Sequence, residues 1–216
     1  MSHYVKFTYQ RACTNIAPFD TLTELNACRR KLVQQRLIGL DVNGIGFGNL
    51  SVRDGVSGNF YITGSATGGL LKLSLTDCVR VVDYDFKKSW VRYEGAAIPS
   101  SESLTHAAIY ESELSTTAVI HCHDSVSWRT LLDRAPTTSK RVPYGTCEMA
   151  REIIRLFKET DVRSRKIFVM AGHEGGIVTF GKDLEEAFAV LLRQRKASIS
   201  CVQNGFRERI PARPET

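Results

Sequence analysis

Two of the five histidines, His121 and His123, stand as H-x-H in the apolar run Ala118–His123 (AVIHCH). Strand side chains alternate between faces, so both imidazoles project to one side and Cys122 to the other. That arrangement suits two nitrogen ligands on one metal ion, and equally two polar residues on an exposed strand face. His173 follows a second apolar run, Lys166–Ala171 (KIFVMA), and enters the glycine-rich turn GHEGG. Neighbouring strands lie about 4.8 Å apart, so that strand end could bring His173 to the same ion. Three protein ligands with an open fourth position describe a catalytic rather than a structural zinc site. His106 and His3 have no partner at a suggestive spacing, and His106 reads as a hydrogen-bonded helix histidine.

Glu102 is the second chemical candidate. In the first turn of a helix a carboxylate is favoured by the dipole alone, whereas one aimed into a pocket beside a metal would be a general acid/base. Ser100 and Ser101 offer hydroxyls and backbone N–H groups at the same helix start, as caps or as an anion site. The pieces Gly46–Ser51 (GFGNLS) and Thr63–Gly69 (TGSATGG) permit close backbone approach, which tight hairpins also need. Neither is a Walker loop, since no Gly-Lys-Ser/Thr follows, and GIGFGN is not a dinucleotide fingerprint.

These residues require a particular set of elements. Thr21-x-x-Glu24 matches a capping box, opening a helix with Leu25, Cys28 and Leu32 inward that ends near Gly39. From Gly44 to Tyr93, short β-like runs (Asn59–Thr63, Val79–Val82, Trp90–Tyr93) alternate with glycine turns. A helix opens after Pro99, capped by Ser100 or Ser101, and continues through Tyr110 towards Leu114. The loop Asp124–Val142 leads to a helix within Pro143–Thr160 with Met149, Ile153, Ile154 and Leu156 for the core. The strand GIVTF leads to a second capping box, Asp183-x-x-Glu186, and a last helix through about Ser200. Strands and helices mix without a βαβ rhythm, which predicts an α/β fold with a mixed or largely antiparallel sheet flanked by helices.

With 216 residues, 43% hydrophobic and 24% charged, the chain is expected to be one globular domain, with a core over about 21–200 and a peripheral tail. No apolar run approaches the roughly 20 residues of a membrane helix, and MSHYVKFTYQ lacks a secretory h-region, so a cytoplasmic protein is expected. The six cysteines are scattered singly and read as reduced, mostly buried residues. The net charge of +6 is spread over Arg29, Arg30 and Lys31 early and Arg193, Arg195, Lys196, Arg207, Arg209 and Arg213 late. Solvated helix faces account for it, so no nucleic-acid partner is expected, and a small anionic substrate fits equally well.

Taken in order, GNLSVR, ITGSATG, PSSESLTHAAIY, VIHCHD and GHEGG followed by IVTFG resemble the class II aldolase/epimerase superfamily, from about Thr21 to Arg195. The resemblance is to its fuculose-phosphate aldolase-like members, which share their fold with the adducin head. It implies a three-layer α/β/α domain with a mainly antiparallel central sheet, in a fourfold-symmetric homotetramer with active sites between subunits. It implies His121, His123 and His173 as zinc ligands and Glu102 beside the metal as acid/base and potential fourth ligand. Gly48, Asn49, Thr63, Gly64, Ser100 and Ser101 match the family's phosphate pocket, built from N–H and hydroxyl donors. Three imidazoles suit Zn²⁺, and Mn²⁺, Co²⁺ or Fe²⁺ could occupy them.

The implied reaction is retro-aldol cleavage of a ketose 1-phosphate to dihydroxyacetone phosphate and an aldehyde, with zinc as Lewis acid and Glu102 shuttling a proton. Alternatives on the same fold are a sugar-phosphate epimerase, a methylthioribulose-phosphate-type dehydratase, or a non-catalytic adducin-like scaffold, which lacks the histidine triad. Two departures stand out. Family aldolases place proton-donating tyrosines after the HxH strand and near the C-terminus; here neither is present, and Tyr144, in a PY-x-T-like stretch, is given a structural part. Glu174 also intervenes between His173 and Gly175, as a partner supporting a metal ligand or as an exposed turn residue.

Overall fold

A computed structural model of the chain describes residues 5–55 and 57–207; His3 and the tail IPARPET lie outside the described residues. Its centre is an eight-stranded sheet in the order β1-β7-β6-β5-β4-β8-β10-β9. The strands are β1 (Thr8–Cys13), β4 (Asn49–Arg53), β5 (Phe60–Thr63), β6 (Cys78–Asp85), β7 (Trp90–Glu94), β8 (Ala118–His123), β9 (Ile167–Val169) and β10 (Gly176–Gly181). All neighbouring pairs are antiparallel except β1 with β7. A separate ribbon joins β2 (Gly39–Leu40) to β3 (Gly46–Phe47).

The alternation of apolar residues builds two cores on opposite faces. Phe60, Ile62, Val79, Val81, Val119 and Val178 face α2 (Ser103–Ser112) and α4 (Cys147–Glu159). Tyr61, Leu50, Ile120, Cys122 and Ile177 face α1 (Leu22–Gln34) and α6 (Leu184–Arg207). The result is the expected three-layer α/β/α architecture, with β8 near its middle. Two short helices complete it, α3 (Ser125–Leu131) and α5 (Val162–Arg165).

Several local expectations are corrected. Helix α1 buries Leu25, Cys28 and Leu32 as its period requires, but Thr21 makes no side-chain cap bond. It stops at Gln34 because Arg36 turns left-handed (φ 58°), with Leu37 N–H donating to Leu32 O and Arg36 N–H to Val33 O, a Schellman closure without glycine. The stretch after His123 folds into α3, with Asp124 accepting from Val126 N–H and Ser127 N–H. Helix α2 begins at Ser103 with Glu102 as its N-cap residue, so neither Ser100 nor Ser101 occupies the cap. Asp183 does accept from Glu186 N–H, while the Glu186 carboxylate accepts from Lys182 N–H. Among the cysteines Cys28, Cys78 and Cys122 are buried, Cys13 and Cys201 are exposed, and all six are free.

Candidate active site

Strand register brings the chemical residues together at one end of the sheet. His121 pairs with Asn49 of β4 and Val178 of β10, and His123 pairs with Gly176 of β10. Because His121 and His123 share a face of β8, the turn before β10 delivers His173 to the same place. The ring centroids stand 5.2 Å (His121–His123), 5.3 Å (His121–His173) and 4.5 Å (His123–His173) apart. One nitrogen from each lies within 4.8 Å of the others.

The turn carrying His173 explains its glycines. His173 N–H donates to Met170 O, Gly176 N–H to His173 O, and Asp124 N–H to Gly175 O. Gly175 takes φ +80°, and a Cβ on Gly176 would stand 2.9 Å from His173 Cδ2. Glu174 is exposed in this turn, so the extra residue swings to solvent and leaves His173 with the triad.

The donor set fits a metal ion. Burial holds His123 at about 4 and His173 at about 3, and burial with repulsion from the other imidazoles holds His121 well below its ordinary value, so all three are neutral near pH 7. Neutral imidazole is the ligating form. His123 Nε2 faces His173 Nε2 at 2.9 Å, against about 3.3 Å for two tetrahedral zinc ligands. His121 Nδ1 meets the Asn49 amide at 3.3 Å, and both His121 Nε2 and Asn49 Oδ1 are buried without partners. Turning the amide so that Oδ1 accepts from Nδ1–H, with an ion on Nε2, satisfies both atoms at once.

Glu102 lines the same cavity and is 2% exposed. Its Oε2 accepts from the Thr105 hydroxyl at 2.8 Å, and Oε1 has no partner. Burial pushes the carboxyl up to about 7, with the Thr105 hydrogen bond and the charge of Lys6 acting the other way. A carboxyl near neutrality both gives and takes protons. His106, one turn along α2, is tied through Nδ1 to the Ser51 hydroxyl at 2.7 Å, as expected of a structural histidine.

The cavity, about 780 Å³, runs from the imidazoles to the loops around Gly44–Asn49 and Gly64–Gly68, with Ser100 and Ser101 on its wall. Gly48, Asn49, Gly64, Ser100 and Ser101 therefore line it, whereas Thr63 does not: its hydroxyl accepts from Leu50 N–H at 3.3 Å. A Cβ on Gly64 would stand 2.7 Å from the Ala97 side chain, so this loop needs its glycine for close packing.

Three neighbours escaped the sequence reading. Arg29 is fully buried, not part of a solvated face, and donates to Thr67 O (2.6 Å), Gly68 O (3.0 Å) and Leu70 O (2.9 Å), tying down the loop. Its position four residues after the inward Leu25 was the available signal. Phe47 lies 5.2 Å from the His123 ring. Tyr144 lines the cavity with its ring 4.2 Å from that of His173, a placement no spacing announced.

The solved structures with this fold include an L-fuculose 1-phosphate aldolase at 24% identity and TM-score 0.67, covering 92% of this chain and 93% of that one. Another L-fuculose-1-phosphate aldolase, from Thermus thermophilus, is 19% identical at TM-score 0.61 and covers 88% and 98%. YgbL from Klebsiella pneumoniae, described as a candidate aldolase/epimerase/decarboxylase, is 18% identical at TM-score 0.64 and covers 85% and 89%. No curated protein sequence matches the chain. The sequence model of the Class II Aldolase and Adducin N-terminal domain matches residues 30–197, and with the fold and the triad in place, the chain belongs to that family.

Proposed function

We propose that the chain is a zinc-dependent aldolase that reversibly cleaves a ketose 1-phosphate into dihydroxyacetone phosphate and an aldehyde. The observation that carries this reading is the unpartnered Oε1 of buried Glu102, in the cavity where three imidazoles converge. A divalent ion held by His121, His123 and His173 supplies a Lewis acid that polarises a carbonyl and disperses charge at the neighbouring carbon. Glu102 moves the proton at that carbon, as carboxylate taking it and as acid returning it. Thr105 holds Oε2, which leaves Oε1 as the transferring atom.

At the other end of the cavity, the Gly64–Gly68 loop with Ser100 and Ser101 offers N–H and hydroxyl donors for a phosphate. Arg29 places positive charge behind that loop. The reading extends to a homotetramer with sites at subunit contacts, supported by Leu40, Val42, Leu70 and Leu71, which are 52%, 100%, 42% and 68% exposed on the loops that border the cavity. Six free cysteines support a reducing, cytoplasmic compartment.

The test is NMR-detected deuterium exchange at the hydroxymethyl carbon of dihydroxyacetone phosphate in D₂O with the zinc-loaded protein. Exchange lost on chelation and in Glu102→Gln is expected. Bound zinc without exchange would overturn the aldolase reading in favour of an epimerase or dehydratase, and failure to bind zinc would point to a scaffold.

A further inference from the structure

The short helix α3 holds both ends of the turn that carries His173. Trp128 Nε1–H donates to Met170 O at 2.9 Å, the carbonyl that also accepts His173 N–H, and Asp124 N–H donates to Gly175 O at 2.9 Å. Gly175 in turn lies against His123, where a Cβ would stand 3.4 Å from Nδ1. His123 N–H donates to Leu37 O at 2.8 Å, just past the end of α1. The relative placement of the two imidazoles therefore depends on where α3 begins.

A helix of seven residues is unstable by itself, so its start must be fixed by other groups. Asp124 caps it: Oδ1 accepts from Val126 N–H at 3.1 Å and Ser127 N–H at 3.4 Å, and Oδ2 accepts from the Ser127 hydroxyl at 2.9 Å. The Asp124 side chain is 7% exposed, and its one cationic partner among the described residues is Arg195 of α6, whose Nε stands 3.1 Å from Oδ2. Arg195 is braced from the other side, with Nη1–H donating to Gln35 Oε1 at 2.8 Å, at the end of α1. One guanidinium thus ties together the two segments that hold the His123 backbone. It does so from outside the cavity, whose wall it does not join.

We propose that Arg195 is a positioning residue of the metal centre, holding His123 and His173 at ligating distance through Asp124 and the start of α3. The inference rests on the metal-holding part of the proposed function and not on the aldol step. Charge alone would act in the opposite direction: a cation near the site repels a metal ion, so removing it would tighten binding. Imidazole ligands must sit about 2.0–2.1 Å from zinc, so a loosened α3 weakens binding instead.

The experiment measures zinc affinity by competition with a chromogenic chelator, the visible absorption of the cobalt(II)-substituted protein, and thermal unfolding of the metal-free chain. It compares wild type, Arg195→Met, Asp124→Asn, the double variant and Val190→Ala, a control at a buried position of α6. Arg195→Met should weaken zinc binding by about 10-fold or more and alter the cobalt(II) bands. The double variant should bind no more weakly than the weaker single variant, because Arg195 acts through Asp124. Val190→Ala should lose thermal stability with zinc affinity and cobalt(II) bands unchanged. Arg195→Gln takes the place of Arg195→Met if that chain does not fold. Zinc bound equally or more tightly by a folded Arg195 variant would overturn the proposal and leave the metal reading intact. Losses that multiply in the double variant, or an equal loss of affinity in Val190→Ala, would also overturn it. A wild type that holds no zinc would overturn it together with the metal reading.

Discussion

His123 Nε2 and His173 Nε2 face each other at 2.9 Å, two imidazole nitrogens from separate elements aimed at one point beside His121. Two neutral rings gain little from such an approach unless a proton or a cation lies between them. His121→Ala or His173→Ala should therefore abolish zinc retention, and Asn49→Leu should weaken it by about 10–100-fold, as outer partners of metal ligands do. Zinc titration with metal analysis after dialysis checks both. Full zinc in His121→Ala would place the ion elsewhere.

Glu102 should leave two signatures in pH. Activity that uses its carboxylate as base should rise through about 7. Stability should move the other way: the folded chain holds a proton from about 4.5 to about 7 that the unfolded chain has released, so stability falls as pH rises through that window and is level above it. The full difference is about 3 kcal/mol. Glu102→Gln should flatten this term, keep zinc and lose turnover by about 10²–10⁴-fold. Urea unfolding of metal-free protein across pH, beside exchange rates, measures both; a slope unchanged in Glu102→Gln would assign the dependence to other groups.

Arg29 is the sole side chain donating to the Thr67, Gly68 and Leu70 carbonyls among the described residues. Arg29→Met leaves the Gly68 and Leu70 carbonyls without this donor, while Thr67 O keeps the Leu70 N–H, and should cost about 2–4 kcal/mol of stability in urea unfolding. Arg29→Lys keeps the charge without the fork, and should weaken inorganic phosphate binding with zinc content unchanged. Unaltered phosphate affinity in a folded Arg29→Lys protein would separate this loop from anion binding.

Gly176 lies directly against His173, where a Cβ would stand 2.9 Å from both Cδ2 and the carbonyl oxygen. Gly176→Ala must displace that ring or the turn, at about 1–3 kcal/mol. Its zinc affinity should fall more than its thermal stability, in contrast to a core change such as Ile153→Val. Calorimetric zinc titration beside thermal unfolding distinguishes the two.

Much of this protein could be read from local patterns. The strand Ala118–His123 has the expected bounds, and the period-2 rule put His121 and His123 on one face with Cys122 in the opposite core. The 3.6-residue period of α1 placed Leu25, Cys28 and Leu32 inward, and the exposure of Glu174 also agrees with one of its two sequence readings. These features depend on backbone geometry that each segment carries within itself. Strand β1 could not be read, because all six of its residues are exposed and show no alternation. Thr63 was matched to the phosphate pocket by its neighbours in sequence, yet its hydroxyl serves the backbone of β4.

Three nitrogens within 4.8 Å, the free oxygen of Glu102, Arg29 beneath the loop and Lys6 over Tyr144 arise from segments far apart in the chain. The amino-acid sequence by itself determined which groups with metal-binding and proton-transferring chemistry were present and which face of its element each occupied. Only the tertiary structure decided which of them meet, because strand order, turn geometry and burial set the distances between the three imidazoles and the desolvation that keeps them neutral and raises the Glu102 carboxyl to about 7.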